Sequence, residues 1–115
     1  MKLIIYHNPR CRKSREALHH LETTSHELSI INYFETPLKS DDLEQLIRAL
    51  GIEAKSLIRT SEAIWKSKYK GKEMTEHELV SAMIEHPKLI ERPIISNGKQ
   101  AVVARPLEKL IDFLK

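Results

Sequence analysis

One residue in this sequence could carry redox or nucleophilic chemistry on sulfur, the single cysteine Cys11. A thiol reacts as its thiolate, so its surroundings decide whether it is a reagent or a small apolar side chain. Here the surroundings read His7-Asn8-Pro9-Arg10-Cys11-Arg12-Lys13-Ser14-Arg15. Arg10, Arg12, Lys13 and Arg15 crowd the sulfur in sequence, and His7 precedes it by one short loop. Inert core cysteines sit inside apolar patterns, and Cys11 does not. The basic neighbours are expected to lower its pKa. Ser14 stands where a dithiol oxidoreductase has its second cysteine, so no local disulfide can form. Whatever resolves a modified Cys11 must come from elsewhere, such as glutathione or a partner thiol.

The elements around Cys11 explain how it would be presented. Leu3–Tyr6 is a short apolar run ending in the turn-forming His7-Asn8-Pro9, and reads as a buried strand. Ala17, Leu18 and Leu21 then recur at helical spacing, which places a helix over about Arg12–Glu22. Cys11 therefore falls at a helix start, where unpaired amides and the helix dipole favour an anion. The same amides suit an incoming oxyanion. Leu28–Phe34 is rich in β-branched and aromatic residues and reads as a second strand, which makes a parallel pair with the first.

A helical block follows. Ser40 is the expected cap of a helix with Leu43, Leu46, Ile47 and Leu50 as its buried stripe and Gly51 as its end. Glu53–Ile58 reads as a short helical turn and Ser61–Lys68 as a weak helix, with Trp65 and Tyr69 anchoring the block. Thr75 with Glu78 is a capping-box pattern for a helix running to about Glu85, stopped by His86-Pro87. Ile94-Ile95, then Ser96-Asn97-Gly98-Lys99, then Ala101–Val103 is a hairpin signal. Pro106 fits the first turn of a last helix carrying Leu107, Leu110, Ile111 and Leu114. The order β-α-β, helices, β-β-α predicts an α/β protein with a mixed four-stranded sheet. That is the order of thioredoxin-like folds, with a helical block inserted between the halves.

Composition narrows the function classes. The chain has 115 residues, 41% hydrophobic and 30% charged, and reads as one globular domain over residues 1–115. No apolar run approaches the roughly 20 residues of a membrane helix, and the N-terminus lacks a signal-peptide pattern. One cysteine permits no internal disulfide, so a reducing cytoplasmic setting is expected. Nineteen basic against sixteen acidic residues give a net charge of +3, which suits a small anion as well as nucleic acid. The stretch Lys66-Ser67-Lys68-Tyr69-Lys70-Gly71-Lys72 could touch phosphates, although a solvated loop is the plainer reading, and no nucleic-acid partner is expected. His19, His20 and His26 have no Cys or carboxylate at ligand spacing, so no metal is expected.

The residues around Cys11 resemble a known signature. Ile5-Tyr6-His7-Asn8-Pro9-Arg10-Cys11 with Ser14-Arg15 is similar to the N-terminal motif of the ArsC-type arsenate reductases, the glutaredoxin-coupled class. Leu57-Ile58-Arg59, the stretch His86 to Ile95 with Arg92-Pro93, and Ala104-Arg105-Pro106 resemble that family's later motifs, in order over essentially the whole chain. The resemblance implies a thioredoxin-like fold, with Cys11 as nucleophile and His7 and Ser14 near it favouring the thiolate. It implies Arg59, Arg92 and Arg105 as oxyanion ligands and Pro93 as a cis-proline facing the cysteine loop. It also implies arsenate as substrate, glutathione as co-substrate, glutaredoxin as partner and no bound cofactor. Two other readings stay open: a glutathione-linked thiol oxidoreductase of another substrate, and a non-enzymatic regulator like the Spx relatives of that family.

Overall fold

In a computed structural model, which describes residues 2–115, the chain forms two compact units, one of Met1–Thr36 with Arg92–Lys115 and one of Pro37–Glu91. Met1, where the single-domain reading begins, lies outside the described residues.

The first unit is the sheet. Strand β1 (Lys2–His7) pairs in parallel with β2 (Glu27–Asn32), and between them runs helix α1 (Arg12–Glu22). On its other side β1 pairs antiparallel with β3 (Ile94–Ser96), and β3 pairs antiparallel with β4 (Ala101–Val103), giving the order β2-β1-β3-β4. A last helix covers Glu108–Phe113. This is the mixed four-stranded sheet of a thioredoxin-like α/β fold, as the element order predicts. Leu3, Ile5 and Ile95 from the central strands, Ala17 and Leu21 from α1, and Leu110 from the last helix bury together with Ala104. One cluster thus ties both helices to the sheet, and its apolar burial is what holds the Cys11 end of α1 in place.

The second unit is the inserted helical block. It contains α2 (Ser40–Leu50), a 3-10 turn over Ala54–Leu57, α3 (Ala63–Lys68), α4 (Glu76–Glu85) and a second 3-10 turn over Pro87–Leu89. With α1 to α4 taken in order, the last helix is α5. α2 ends at Gly51 with φ +68°, the left-handed conformation glycine adopts without a Cβ penalty. Thr75 and Glu78 form the reciprocal cap foreseen for α4: Glu78 N–H donates to Thr75 Oγ1 at 3.1 Å and Thr75 N–H donates to Glu78 Oε1 at 3.0 Å. Trp65 and Tyr69 are both buried and stack with ring centroids 5.6 Å apart, anchoring the block as expected. The unit closes on itself where Arg59 N–H donates to Leu89 O at 2.7 Å and Glu91 N–H to Leu57 O at 2.8 Å.

Boundaries differ by one or two residues in β1, β3, α3 and the first 3-10 turn, and three further differences from the sequence reading have a local cause. The second strand starts at Glu27 and stops at Asn32, not Phe34. Asn32 turns the chain: its Oδ1 accepts from Phe34 N–H at 3.1 Å, and its carbonyl accepts from the N–H groups of Glu35 and Thr36. Tyr33 looks strand-like in sequence because it is buried, but it is buried on a turn. Ser40 is the first residue of α2 rather than its cap; the N–H of the capping Lys39 is met by the Asp42 carboxylate at 3.4 Å. Pro106 precedes α5 by two residues instead of lying in its first turn. Its carbonyl accepts from Lys109 N–H at 3.1 Å, forming the turn that leads into the helix.

Candidate functional site

Strand register assembles the site. Tyr6 is opposite Ile94, and Ile94 is opposite Val103. The β3–β4 pairing continues one step further, with Ala104 N–H donating to Pro93 O at 2.9 Å. Extending the same count brings Arg92 opposite Arg105, at the end of the sheet where β1 runs into the His7–Cys11 loop. Two arginines far apart in sequence therefore reach the thiol loop's end of the sheet because the hairpin places them there. The Arg92–Pro93 peptide is cis, as the resemblance implies, and so is Arg105–Pro106.

Cys11 occupies the cap position of α1, half-buried, with φ −93° and ψ 122°. Its N–H donates to Asn8 O at 3.0 Å and its carbonyl accepts from Arg15 N–H at 3.0 Å, so the backbone on both sides of the sulfur is fixed. The first turn of α1 contains no acidic residue and no side chain forms a capping hydrogen bond. The positive end of the helix is left for the sulfur. Burial is the largest single influence on the thiol and opposes ionisation. Against it act the Ser14 amide, the hydrogen bond and the charge of the Arg92 guanidinium, and the Lys13 amide. Together these outweigh burial and hold the Cys11 thiol below its ordinary value.

The agents of that lowering differ from the sequence expectation. The flanking side chains are occupied elsewhere. Arg12 Nε lies 3.5 Å and Lys13 Nζ 3.8 Å from the Glu16 carboxylate, and the Arg12 side chain is 84% exposed. Arg15 donates from Nη1 to Pro9 O at 3.0 Å, and Arg10 is exposed. A residue distant in sequence, Arg92, supplies the charge instead.

His7 and Ser14 form a buried joint behind the loop. Ser14 is fully buried, and its Oγ lies 2.6 Å from His7 Nδ1. The same oxygen accepts from Asn8 N–H at 3.0 Å. Desolvation first, then the charge of Arg15, lowers the pKa of His7. A neutral ring that accepts the Ser14 hydroxyl proton at Nδ1 would satisfy His7, Ser14 and the Asn8 amide together. Asn8 is the residue that motif reading passed over as a mere turn former. Its carbonyl receives Cys11 N–H, its own N–H goes to Ser14, and its Oδ1 accepts from Arg10 N–H at 3.0 Å. The Asn-Pro pair was the available signal, since Asn side chains bond two residues ahead at turns.

Of the six residues singled out in sequence, the structure brings His7, Cys11, Ser14 and Arg92 together. Arg105 is half-buried in the same unit, directly after the Pro93–Ala104 pairing. Arg59 belongs to the helical unit, where its Nη1 lies 3.0 Å from Glu62 Oε1. No group of three His, Cys, Asp or Glu side chains among the described residues is placed to hold a metal ion. Nor is any helix among them long and apolar enough to cross a membrane.

A thioredoxin-like sheet with one activated thiol at the head of its first helix defines a thiol-based oxidoreductase. The sequence profile of the ArsC family matches residues 6–113, and the chain belongs to that family. It is 37% identical to an arsenate reductase of Haemophilus influenzae over 99% of this chain and 100% of that one. It is 38% identical to the uncharacterised protein YfgD of Escherichia coli K12, over 96% of this chain and 94% of that one. Among solved structures, an arsenate reductase from Vibrio cholerae is 39% identical and matches with a TM-score of 0.92, covering 97% of each chain.

Proposed function

We propose that this protein reduces arsenate to arsenite, with Cys11 as nucleophile and glutathione and glutaredoxin as the source of electrons, in a reducing cytoplasm. The observation that carries the reading is the Cys11 sulfur at the start of α1, favoured as thiolate by two amides and by Arg92. That arrangement matches the needs of a reaction between a thiolate and a tetrahedral oxyanion. Relatives at 37% and 39% identity over nearly their full length carry the name of that activity.

In this mechanism the Cys11 thiolate attacks As(V) and forms an S–As bond, while an arsenate oxygen leaves as water after taking up protons. Glutathione then attacks the adduct, and two thiols supply the two electrons that take As(V) to As(III). Overall, arsenic acid plus two thiols gives arsenous acid, one disulfide and one water. Glutaredoxin removes the bound glutathione, which returns Cys11 to its thiol. Arg92 both favours the thiolate and meets the charged arsenical oxygens; Arg105 and Arg59 are the further guanidinium ligands of the oxyanion. His7 and Ser14 position the loop, and the Ser14 amide faces the sulfur.

The test is arsenite formation with glutathione and glutaredoxin, wild type against Cys11→Ser. The proposal expects the variant to fall to background. Equal rates would remove Cys11 from the reaction.

A further inference from the structure

The helical unit contains a cavity of about 600 Å³ whose lining includes none of the residues assigned to the thiol chemistry. Its lining includes Trp65 and Leu79, both buried, together with Met74. Lys55, Lys70 and Lys72 also line it, against one carboxylate, Glu73. Gly71, at φ +82°, turns the chain between Lys70 and Lys72 so that both border the same opening. Neighbouring Lys68 is a useful contrast. Its Nζ lies 3.4 Å from Glu85 and 5.6 Å above the Tyr69 ring, so its charge is answered within the protein. Lys55, Lys70 and Lys72 make no ion pair among the described residues. Three unanswered ammonium groups and one carboxylate around apolar walls form a net positive, amphipathic recess. Its volume lies in the range of small-molecule sites.

We propose that this recess binds a small organic anion, a carboxylate, phosphate or sulfonate on an apolar body. The body would lie against Trp65, Met74 and Leu79, and the anionic group would be met by Lys70, Lys72 and Lys55. The lining lies wholly within residues 55–79 and does not include Cys11. It gives a role to the lysine-rich stretch that the sequence left as a solvated loop.

Trp65 is the only tryptophan in the chain and lines this cavity, so quenching has a single source and the lysine variants decide whether the ligand sits here. The full-length protein is titrated with the aromatic sulfonate 8-anilinonaphthalene-1-sulfonate and, separately, with inorganic phosphate. The proposal expects the sulfonate to quench Trp65 saturably. It expects Lys70→Ala/Lys72→Ala, at two exposed positions, to weaken that binding about tenfold, from two ion pairs in the middle of the exposed range. Added salt should weaken binding further in wild type than in the double variant, and Cys11→Ser should bind as wild type does. Phosphate as the tighter ligand would overturn the need for an apolar body. No saturable quenching would overturn the proposal outright. So would equal affinity in the double variant, which would mark plain hydrophobic adsorption. None of these results depends on whether the protein reduces arsenate.

Discussion

Two helices of this protein begin in opposite ways. At the start of α4 the cap is built internally: Thr75 and Glu78 exchange hydrogen bonds, and Glu76 adds a second acid to the first turn. At the start of α1 there is no acid and no side-chain capping bond, and a cysteine stands where the threonine stands in α4. The first arrangement removes the positive end of the helix as a feature. The second leaves it open and puts an ionisable sulfur against it. Stability lost at one helix start is the condition for reactivity there. The shared burial of α1 and α5 against β1 and β3 keeps the exposed end fixed.

The contrast can be broken at Arg92 with the largest effect. Arg92→Gln removes the charge and the donor that face the sulfur while keeping an amide in place. Arsenate reduction should fall by about 10²-fold, in line with the loss of one donor to a developing oxyanion. The midpoint of Cys11 alkylation against pH should rise. An unchanged midpoint would mean that the helix start acts without help from Arg92. The opposite site gives a stability effect and no chemical one. Thr75→Ala should cost about 1 kcal/mol in denaturant unfolding and leave Cys11 alkylation as it is. Hydrogen bonds from the Thr75 backbone, then from its side chain, hold the Glu78 carboxyl below its ordinary value. A depressed carboxylate contributes stability above its unfolded pKa, and that contribution is lost as pH falls through the folded value. Thr75→Ala keeps the backbone donor and loses only the side-chain one, so its stability gap from wild type should narrow on acidification without closing. The smallest change makes α1 resemble α4. Arg12→Asp puts an acid in the open first turn, a gain offset by exchanging the Arg12–Glu16 pair for a like-charge one, so stability should hold to within a few tenths of a kcal/mol. It should raise the Cys11 pKa, so that the alkylation rate at neutral pH falls with no matching change in stability.

Much of this was legible in the residues. The span of α1, the Thr75–Glu78 cap, Gly51 as helix end and the Asn97-Gly98 hairpin follow from local chemistry that tertiary packing does not override. Tyr33 misled because burial on a turn and burial in a strand call for the same residue types. The source of the thiol's activation was legible only in part. Sequence neighbours suggested Arg12 and Lys13, yet Glu16 lies one helical turn on and takes up both side chains. Arg92 reaches Cys11 through strand register, which local composition cannot encode; the family motif pointed to it. Asn8 shows the same limit at short range, because its three hydrogen bonds depend on the turn being made around Ser14.

The most direct test of the central claim is the rate of Cys11 alkylation by iodoacetamide as a function of pH, with and without arsenate. Cys11 is the only thiol in the chain, so the signal has a single source. The account predicts a midpoint below that of an ordinary cysteine, with arsenate slowing the reaction across the profile. A midpoint at the ordinary thiol value, indifferent to arsenate, would contradict it.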